Sequence, residues 1–450
     1  MTATLTSAPP ALEQLVSEQM REWSVPGVVV GILHDGQIET WGFGVTSIET
    51  EQPVTGDTLF QIGSITKVFT ATLIMQLVDE GRLDLDAPVR SVLPSFRLED
   101  DAATESVTPR HLLTHTTGFF GDRFDDFGPG DDALNRAMAA FHTLRQYTPP
   151  GDVWAYCNTG FQALGAVIEL RTEMSVEQAI RERVLAPLGL DRSFFFAHEA
   201  ITYRVGVGHN RLPGKDLEVA RPYPLIRAMN AAGGIIGTVG DLLRFAAFHM
   251  SDGVVAGTSV LSSDSIKAMQ TIQTEAGLAD FWGLGWSLNR VDGRLVVGHG
   301  GSTNGFRANL SLVPGSGTAL AVLTNGNGGR ALNRVLETWF LEAHAGLSQD
   351  APVPHPLSPE SLGRFAGHYR GPTSETDVSV VDGGLQVDMV TTSPLTKVEV
   401  TLPPQRMTPV GESRFVLADG ESVGERVDFI GDGETPAFMR FHGRLLDRVT

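Results

Sequence analysis

Two groups of β-rich runs lie on either side of a long helical stretch, and their placement is the strongest constraint on the fold. The first group, GVVVGILH and QIETWGFGV, flanks Asp35-Gly36, a dipeptide typical of a two-residue hairpin turn. The second group follows residue 282 and comprises GLGWSLNR, RLVVGHGG, ANLSLVPG and TALAVLTNG. Residues 85–245 carry mainly helical and loop patterns. The sequence therefore predicts one antiparallel sheet built from both groups, flanked by helices and interrupted by an all-helical subdomain.

Helical periodicity indicates where the flanking helices lie. An amphipathic pattern covers residues 11–23, and a helix is predicted near residues 329–345. The run SITKVFTATLIMQLVDEG is apolar on nearly every turn and closes at Gly81, a residue typical of a helix C-terminus. We expect this helix to be largely buried with Ser64 at its start, and a further helix to run from about Asn158 to Arg171.

The chain is long enough for two domains. Its 450 residues exceed the size at which one hydrophobic core usually stops growing. The segment SQDAPVPHPLSPES is rich in proline, serine and acidic residues, as linkers often are, and short alternating runs follow it. We predict a first domain at residues 1–348, a linker at 349–358 and a small C-terminal β-sheet or barrel domain at 359–450. The predicted fold class is α/β in its α+β form, plus this all-β domain.

Composition excludes several functional classes. Acidic residues outnumber basic ones by 53 to 34, and a net charge of -19 would repel nucleic acid and anionic membrane surfaces. No stretch offers the roughly 18 apolar residues of a membrane span, and the N-terminus lacks a signal-peptide pattern, so we expect a cytoplasmic protein. Cys157 is the single cysteine, which excludes an intrachain disulfide and a thiolate zinc cluster.

A candidate nucleophile lies in QIGSITKVF, the one Ser-x-x-Lys of the chain. Positions i and i+3 share a helix face, so the Lys67 amine can reach the Ser64 hydroxyl. Burial and the positive end of the helix dipole would lower the pKa of Lys67 towards a neutral, proton-accepting amine. Alone, the motif more often marks a helix-capping serine followed by a surface lysine, so the other motifs must support the catalytic interpretation.

A second motif, WAYCNTGF, places Tyr156 and Asn158 in a turn before a helix. A phenol beside an ammonium can lose its proton below its usual pKa of about 10 and act as a base or acid. The Asn158 amide can anchor the substrate or Lys67. A buried tyrosine with a hydrogen-bonded hydroxyl is the structural alternative.

The third motif is VVGHGGSTNGF, an apolar strand that leads into His299, Gly300, Gly301 and Ser302. Glycines allow a backbone to approach a ligand closely, so the Ser302 N–H can face a substrate. Histidine can donate to a substrate carboxylate or share a proton with Tyr156.

In this order, Ser-x-x-Lys, Tyr-x-Asn and His-x-Gly resemble the penicillin-recognising serine hydrolases. Residues 10–345 look most like the branch with class C β-lactamases, D-alanyl-D-alanine carboxypeptidases, D-aminopeptidases and β-lactamase-like esterases. LLTHTTG, PPGDVWAYCNTGF, AAGGIIGTVGDLLRF and GLGWSL support this resemblance. It implies a catalytic group of Ser64, Lys67, Tyr156 and His299, with an oxyanion hole at the Ser64 and Ser302 N–H groups. The C-terminal domain is similar to the β-barrel appendages of some two-domain relatives, and we expect it to serve assembly or substrate gating.

The predicted activity is hydrolysis of ester or amide bonds through an acyl-enzyme, without cofactor or metal. Expected substrates are small esters, amides or short D-amino-acid peptides, and self-association into a homo-oligomer is left open. His299 stands where lysine opens the lactamase Lys-Thr-Gly motif, and Tyr-Cys-Asn replaces the Ser-Asp-Asn of class A enzymes. These differences favour an esterase or peptidase over a β-lactamase. Two alternatives to this activity remain: a β-lactamase or β-lactam-binding protein, and a catalytically silent binding or sensor module.

Three further patterns have competing interpretations. His111 and His115 have the i,i+4 spacing of metal ligands, but no His-Glu-x-x-His accompanies them. The acidic residues of the loop at 121–132 indicate a solvated loop, with recognition of a substrate ammonium group as the alternative. A Ser-His-Asp triad is disfavoured because Gly-x-Ser-x-Gly is absent around Ser64 and Ser302.

Overall fold

The computed structural model describes residues 7–393, 397–431 and 433–449. The four helices of the first part for which the sequence predicts bounds lie close to those positions. Its helices are α1 (Pro10–Glu22), α2 (Thr66–Asp79), α3 (Val89–Val92), α4 (Asp101–Ser106), α5 (Pro109–Thr114), α6 (Ala133–Ala139), α7 (Asn158–Thr172), α8 (Val176–Ile180), α9 (Ala197–Ala200), α10 (Asn230–Gly233), α11 (Val239–His249), α12 (Ser263–Met269) and α13 (Gly329–Phe340). Its strands are β1 (Gly27–His34), β2 (Gln37–Gly44), β3 (Phe60–Gln61), β4 (His209–Arg211), β5 (Leu217–Val219), β6 (Ile236–Gly237), β7 (Val254–Val255), β8 (Thr258–Ser259), β9 (Thr274–Glu275), β10 (Phe281–Trp282), β11 (Ser287–Val291), β12 (Arg294–Thr303), β13 (Phe306–Val313) and β14 (Thr318–Thr324).

The large antiparallel sheet joins both ends of this part of the chain, as predicted. Its strand order is β2-β1-β14-β13-β12-β11-β10-β9. β1 and β14 are interior strands, and nearly all their side chains are buried, which explains their continuous apolar runs. The predicted hairpin at Asp35-Gly36 is confirmed, because His34 pairs with Gln37. Most of the helical segment lies between β2 and β9 in the chain.

Helices cover both faces of this sheet. α2 is buried along almost its whole length and packs against α7 and α10, so it needs no polar face. It ends at Asp79 with Glu80 as its C-cap, and the following Gly81 takes the left-handed conformation that favours glycine. α1 and α13 pack on the opposite face. The predicted helix at 329–345 is α13 followed by a π-helical turn over Leu341–Ala345.

The C-terminal part forms the predicted all-β barrel domain. After α14 (Pro359–Gly363), its strands are β15 (Gly367–Gly371), β16 (Ser374–Val381), β17 (Gly384–Thr392), β18 (Glu399–Thr401), β19 (Gln405–Pro409), β20 (Arg414–Leu417), β21 (Arg426–Ile430), β22 (Phe438–Phe441) and β23 (Arg444–Val449). β16 pairs with both β15 and β17, and this pairing closes the barrel. Apolar side chains, including Phe365, Tyr369 and Phe429, fill its interior. The exact domain limits at residues 348 and 359 stay a prediction.

The barrel touches the first domain through the turn between β22 and β23. The carbonyl of Gly443 in this turn accepts the backbone N–H of Tyr156 at 2.8 Å. Arg440 on β22 donates to the carbonyl of Trp154 at 2.9 Å. The barrel is therefore held against the segment that carries one of the predicted site residues. Among the described residues, no helix is long and apolar enough to cross a membrane.

Candidate active site

The Ser64 hydroxyl and the Lys67 amine lie together at the start of α2. Ser64 occupies a 3₁₀ turn, Gly63–Ile65, that leads directly into this helix. One turn later, Lys67 is completely buried, and its Nζ lies 3.2 Å from Ser64 Oγ. The i,i+3 spacing thus places both groups on one face, as the sequence predicts.

The surroundings of Lys67 favour a neutral amine. Burial lowers its pKa well below the usual value, and the nearby Arg444 cation lowers it further. Its Nζ contacts Asn158 Oδ1 at 2.7 Å and the Ala232 carbonyl at 2.7 Å, and both oxygens can only accept hydrogen bonds. A neutral amine has two N–H groups for these two acceptors. Its lone pair is then left to accept the hydroxyl proton of Ser64.

Tyr156 differs from the sequence expectation. Its hydroxyl is hydrogen-bonded to Ser64, but burial raises its pKa rather than lowering it. The expected stabilisation by a neighbouring ammonium is weak because Lys67 itself favours the neutral form. The phenolate interpretation is therefore wrong for the free site, where the phenol is a proton donor. Cys157, next in the chain, is also buried, which raises its thiol pKa to about 11 and leaves it unreactive.

His299 faces the same group from β12. Burial, the largest cause, lowers its pKa to about 3, so the ring is neutral. Its Nδ1 lies 2.6 Å from the Gly300 carbonyl, which only accepts, so the proton belongs on Nδ1. Nε2 is then an acceptor, and it is buried without a partner among the described residues. This tautomer suits a proton exchange with Tyr156, whose ring centroid lies 6.2 Å away, rather than donation to a carboxylate.

Two glycines allow β12 to lie against the serine turn. A side chain at Gly301 would place its Cβ 2.0 Å from the Ile62 carbonyl. A Cβ at Gly63, which has a φ of 54°, would lie 2.7 Å from the Ser302 nitrogen. Only glycine fits these positions without moving the backbone. The Ser302 nitrogen therefore lies against Gly63, the residue before Ser64.

A partly buried polar chain extends from Lys67 into the barrel domain. It passes through Asp122, a residue of the acidic loop considered in the sequence, and Arg444, which the sequence analysis missed. Asn158 Nδ2 donates to Asp122 Oδ1 at 2.6 Å, and Arg444 Nε donates to Asp122 Oδ2 at 2.8 Å. Burial opposes ionisation of Asp122, but Arg444 and Asn158 still hold its pKa below the usual value. The Arg444 Cζ also lies 4.7 Å from the Tyr156 ring centroid.

These groups line one large cleft with a volume of about 1320 Å³. Ser64, Tyr156, Asn158, His299 and Ser302 all contribute to its wall, as do side chains of the barrel. The C-terminal domain therefore forms part of the site, although no chemical motif was visible in its sequence. The signal that could have found Arg444 is the glycine turn FHGR, which presents a charged side chain at the end of a hairpin.

The other sequence candidates lie in different surroundings. His111 closes the N-terminal cap of α5 by accepting the Thr108 N–H. His115 lies beneath Tyr156 and accepts the Cys157 N–H at 3.0 Å. In the part of the chain that the structure describes, no cluster of three or more His, Cys, Asp or Glu side chains could hold a metal ion. In the acidic loop, Asp122 lines the cleft, whereas the remaining aspartates are exposed to solvent.

One known protein family matches most of this chain. The family model described as Beta-lactamase matches residues 12–343. The chain belongs to the Beta-lactamase family. This membership confirms the resemblance to penicillin-recognising serine hydrolases and the predicted fold class. This Beta-lactamase-family chain is 40% identical to Penicillin-binding protein 4 from Amycolatopsis lactamdurans over 312 residues. The alignment covers 68% of this chain and 82% of that protein.

Two solved structures extend the similarity of this Beta-lactamase-family chain to the barrel. A structure of SurE with D-Leu is 30% identical, has a TM-score of 0.74, and covers 98% of this chain and 99% of that one. An octameric penicillin-binding protein homologue from Pyrococcus abyssi is 26% identical, with a TM-score of 0.66, and covers 97% of this chain and 99% of that one. Both span nearly the whole chain, so the two-domain architecture is shared.

Proposed function

We propose that this chain forms an acyl-enzyme at Ser64 and hydrolyses ester or amide bonds of small substrates. The observation that carries the proposal is the contact between Ser64 Oγ and a buried Lys67 whose other hydrogen-bonding positions are filled by acceptors. A serine hydroxyl is a weak nucleophile unless a neighbouring base takes its proton. A neutral amine held at this distance supplies that base.

Acylation follows from the positions of the same groups. Ser64 Oγ attacks the substrate carbonyl carbon while its proton passes to Lys67 Nζ. The carbonyl oxygen becomes an oxyanion, which the Ser64 and Ser302 N–H groups stabilise. The protonated Tyr156, hydrogen-bonded to Ser64, gives a proton to the leaving oxygen or nitrogen as the carbon–leaving-group bond breaks. Lys67 then reprotonates Tyr156. We assign His299 Nε2, an acceptor on a ring beside Tyr156, an assisting role in this exchange.

Hydrolysis of the acyl-enzyme reverses the proton movements. Water attacks the ester carbon and gives its proton to neutral Lys67. The bond to Ser64 Oγ breaks, and Lys67 returns the proton to the serine. Asn158 holds Lys67 in place throughout, and Asp122, itself bonded to Arg444, holds Asn158. No cofactor enters these steps.

Substrates of the D-amino-acid type are favoured over other small esters and amides. SurE, similar along nearly the whole chain, has been solved with D-Leu. The neutral His299 stands where lactamases carry lysine, which weakens recognition of a β-lactam carboxylate. β-Lactam turnover or acylation is the second candidate, and the family membership supports it.

A paired substrate panel tests the proposal. Wild type and Ser64→Ala would be assayed with D- and L-amino-acid p-nitroanilides, matched p-nitrophenyl esters and nitrocefin. We expect Ser64-dependent release of the chromophore with a preference for the D-compounds. Preference for nitrocefin would favour the lactamase candidate, and equal rates for both proteins on every compound would exclude acyl-enzyme catalysis at Ser64 and favour a binding or sensor role.

Self-association is a further part of the proposal. The octameric homologue from Pyrococcus abyssi carries the same two-domain architecture. We expect light scattering of the purified protein to give a mass several times the monomer's 48.4 kDa. A mass equal to the monomer at micromolar concentration would contradict it.

A further inference from the structure

His115 holds the chain on both sides of Tyr156. The Ala155 N–H donates to the His115 carbonyl at 2.8 Å, and the Cys157 N–H donates to Nδ1 of the His115 ring at 3.0 Å. Between them, the Tyr156 N–H donates to the Gly443 carbonyl of the barrel. This segment belongs to no helix or strand, so these three bonds, two of them to His115, position its backbone.

The His115 ring also packs against the Tyr156 ring. Their centroids are 4.3 Å apart, and the two planes meet at 35°. Phe161 and Trp282 surround the same imidazole, with ring centroids at 5.5 and 5.0 Å. His115 therefore contacts both the backbone beside Tyr156 and its aromatic ring. The hydroxyl of that ring is hydrogen-bonded to Ser64, so the position of His115 influences this bond.

The surroundings of His115 keep its ring neutral, with an acceptor at Nδ1. Burial, the largest cause, lowers its pKa well below the usual value. A backbone N–H can only donate, so Nδ1 is the unprotonated nitrogen and the proton lies on Nε2. Nε2 is buried and makes no hydrogen bond to any described residue. Within the described part of the chain, the ring thus forms its hydrogen bond through Nδ1, to Cys157.

Packing alone does not explain a histidine at this position. A phenylalanine ring would fill nearly the same space without a buried, unpartnered N–H, which is costly. His115 also ends α5 with a φ of 58°, in the left-handed region where glycine or asparagine is usual. An acceptor that fixes the position of Tyr156 explains why both costs are tolerated.

We propose that His115 is a positioning residue for Tyr156 and that its Nδ1 acceptor keeps the phenol hydroxyl on Ser64. This inference rests on the proposed function, in which Tyr156 protonates the leaving group. His115 lies behind the residues that line the cleft, so it acts on the reaction through Tyr156. Its loss should matter most where the reaction depends most on a proton from Tyr156.

Leaving groups that differ in their need for a proton test this role. Expulsion of an amine from an anilide requires a proton, whereas a p-nitrophenyl ester releases a stabilised phenolate. The ratio of kcat/KM for a D-amino-acid p-nitroanilide to that for its matched p-nitrophenyl ester would be measured. Misplacement of a catalytic group by about 1 Å can cost about 10²-fold, and we expect this ratio to fall at least about tenfold in His115→Phe. A defect of packing alone would slow both substrates equally.

Asparagine and glutamine separate the Nδ1 acceptor from the other features of the ring. The amide oxygen of asparagine can occupy the position of Nδ1, whereas that of glutamine lies further out, towards Nε2. Asparagine also tolerates the left-handed conformation. His115→Asn should recover most of the wild-type ratio, and His115→Gln should not. An equal ratio in wild type and His115→Phe would overturn the inference, as would an equal loss in the asparagine and glutamine variants.

His111→Phe is the matched control. His111 lies on the same helix and also accepts a backbone N–H through Nδ1, from Thr108 at 3.2 Å, but at the opposite end of α5. Its ratio should stay at the wild-type value. In a Tyr156→Phe background, His115→Phe should cause no further fall, because the hydroxyl it positions is already absent. A low ratio in His111→Phe, or a further fall of similar size in that background, would contradict the positioning role.

Crystal structures of the variants separate this inference from the proposed function. We expect the Tyr156 hydroxyl to leave Ser64 in His115→Phe and His115→Gln and to stay there in His115→Asn. This pattern, without any Ser64-dependent turnover by the wild type, would sink the proposed function alone. A hydroxyl that stays on Ser64 in both His115→Phe and His115→Gln would overturn the inference itself. If His115→Phe does not fold, the asparagine and glutamine variants carry the same comparison.

Discussion

Arg444→Met removes a cation from the barrel side of the cleft and keeps an unbranched side chain in its place. Arg444 lowers the pKa of Lys67, whereas Asp122 raises it. The variant therefore loses the first effect and leaves the second unopposed. We expect a higher Lys67 pKa, a larger protonated fraction at neutral pH and slower acylation.

The size of this shift follows from the geometry. Lys67 Nζ lies 5.0 Å from the Tyr156 ring centroid, and Arg444 Cζ lies 4.7 Å from the same centroid. The two cations are thus at most about 10 Å apart, which gives a repulsion of at least about 1.7 kcal/mol at an effective dielectric constant of about 20. Because 38% of the Arg444 side chain is exposed, solvent reduces this figure. The Lys67 pKa should therefore rise, and the repulsion lost corresponds to about tenfold slower acylation on the acid side of the profile.

Acylation by a fluorophosphonate, followed by intact mass across pH, measures the shift. Neutral Lys67 is the active form, so the rate rises as pH increases through the Lys67 pKa. The acid limb of Arg444→Met should move to higher pH, and raising the pH should restore much of the rate. Arg370→Met, which removes an exposed barrel arginine paired with Glu375, is the control and should keep the wild-type limb. An unchanged acid limb in a folded Arg444→Met protein would refute this electrostatic reasoning.

Three further predictions test other parts of the account. Tyr156→Phe removes the hydroxyl bonded to Ser64 and should slow acylation by about 10²–10⁴-fold in stopped-flow assays, so a wild-type rate would rule out its acid role. Gly301→Ala places a Cβ against the Ile62 carbonyl and should lower kcat by about 10²–10³-fold by moving β12 away from the oxyanion, which an unchanged kcat would disprove. His249 is buried with a pKa of about 3, below the value near 6.5 in the unfolded chain. The free energy of unfolding carries no penalty from His249 above pH 6.5. As pH falls from 6.5 towards 3, it decreases by about 1.4 kcal/mol per pH unit, because the unfolded chain binds a proton that the folded chain does not. Urea unfolding of His249→Gln should show a correspondingly shallower pH dependence, and identical slopes for both proteins would contradict the assignment.

Local patterns explain which parts of the structure the sequence could predict. The interior strands β1 and β14 are buried on both faces, so their apolar runs are continuous and easily recognised. The contact between Ser64 and Lys67 follows from helix geometry over three residues. The barrel could be predicted because alternating runs with glycine turns follow a proline-rich segment.

The missed features depend on contacts between distant residues. Asp122 and Arg444 are 322 positions apart, and neither belongs to a local motif. The protonation of Tyr156 was misjudged because its pKa depends on burial by residues from several elements, which no sequence spacing reveals.

Covalent labelling at Ser64 tests the central claim most directly. Purified wild type, Ser64→Ala and Lys67→Ala would be treated with a fluorophosphonate, and the modified peptide would be identified by mass spectrometry. We predict one adduct on Ser64 in wild type, no adduct in Ser64→Ala and labelling slower by at least about 10²-fold in Lys67→Ala. Labelling at another residue, or wild-type labelling without Lys67, would contradict the account.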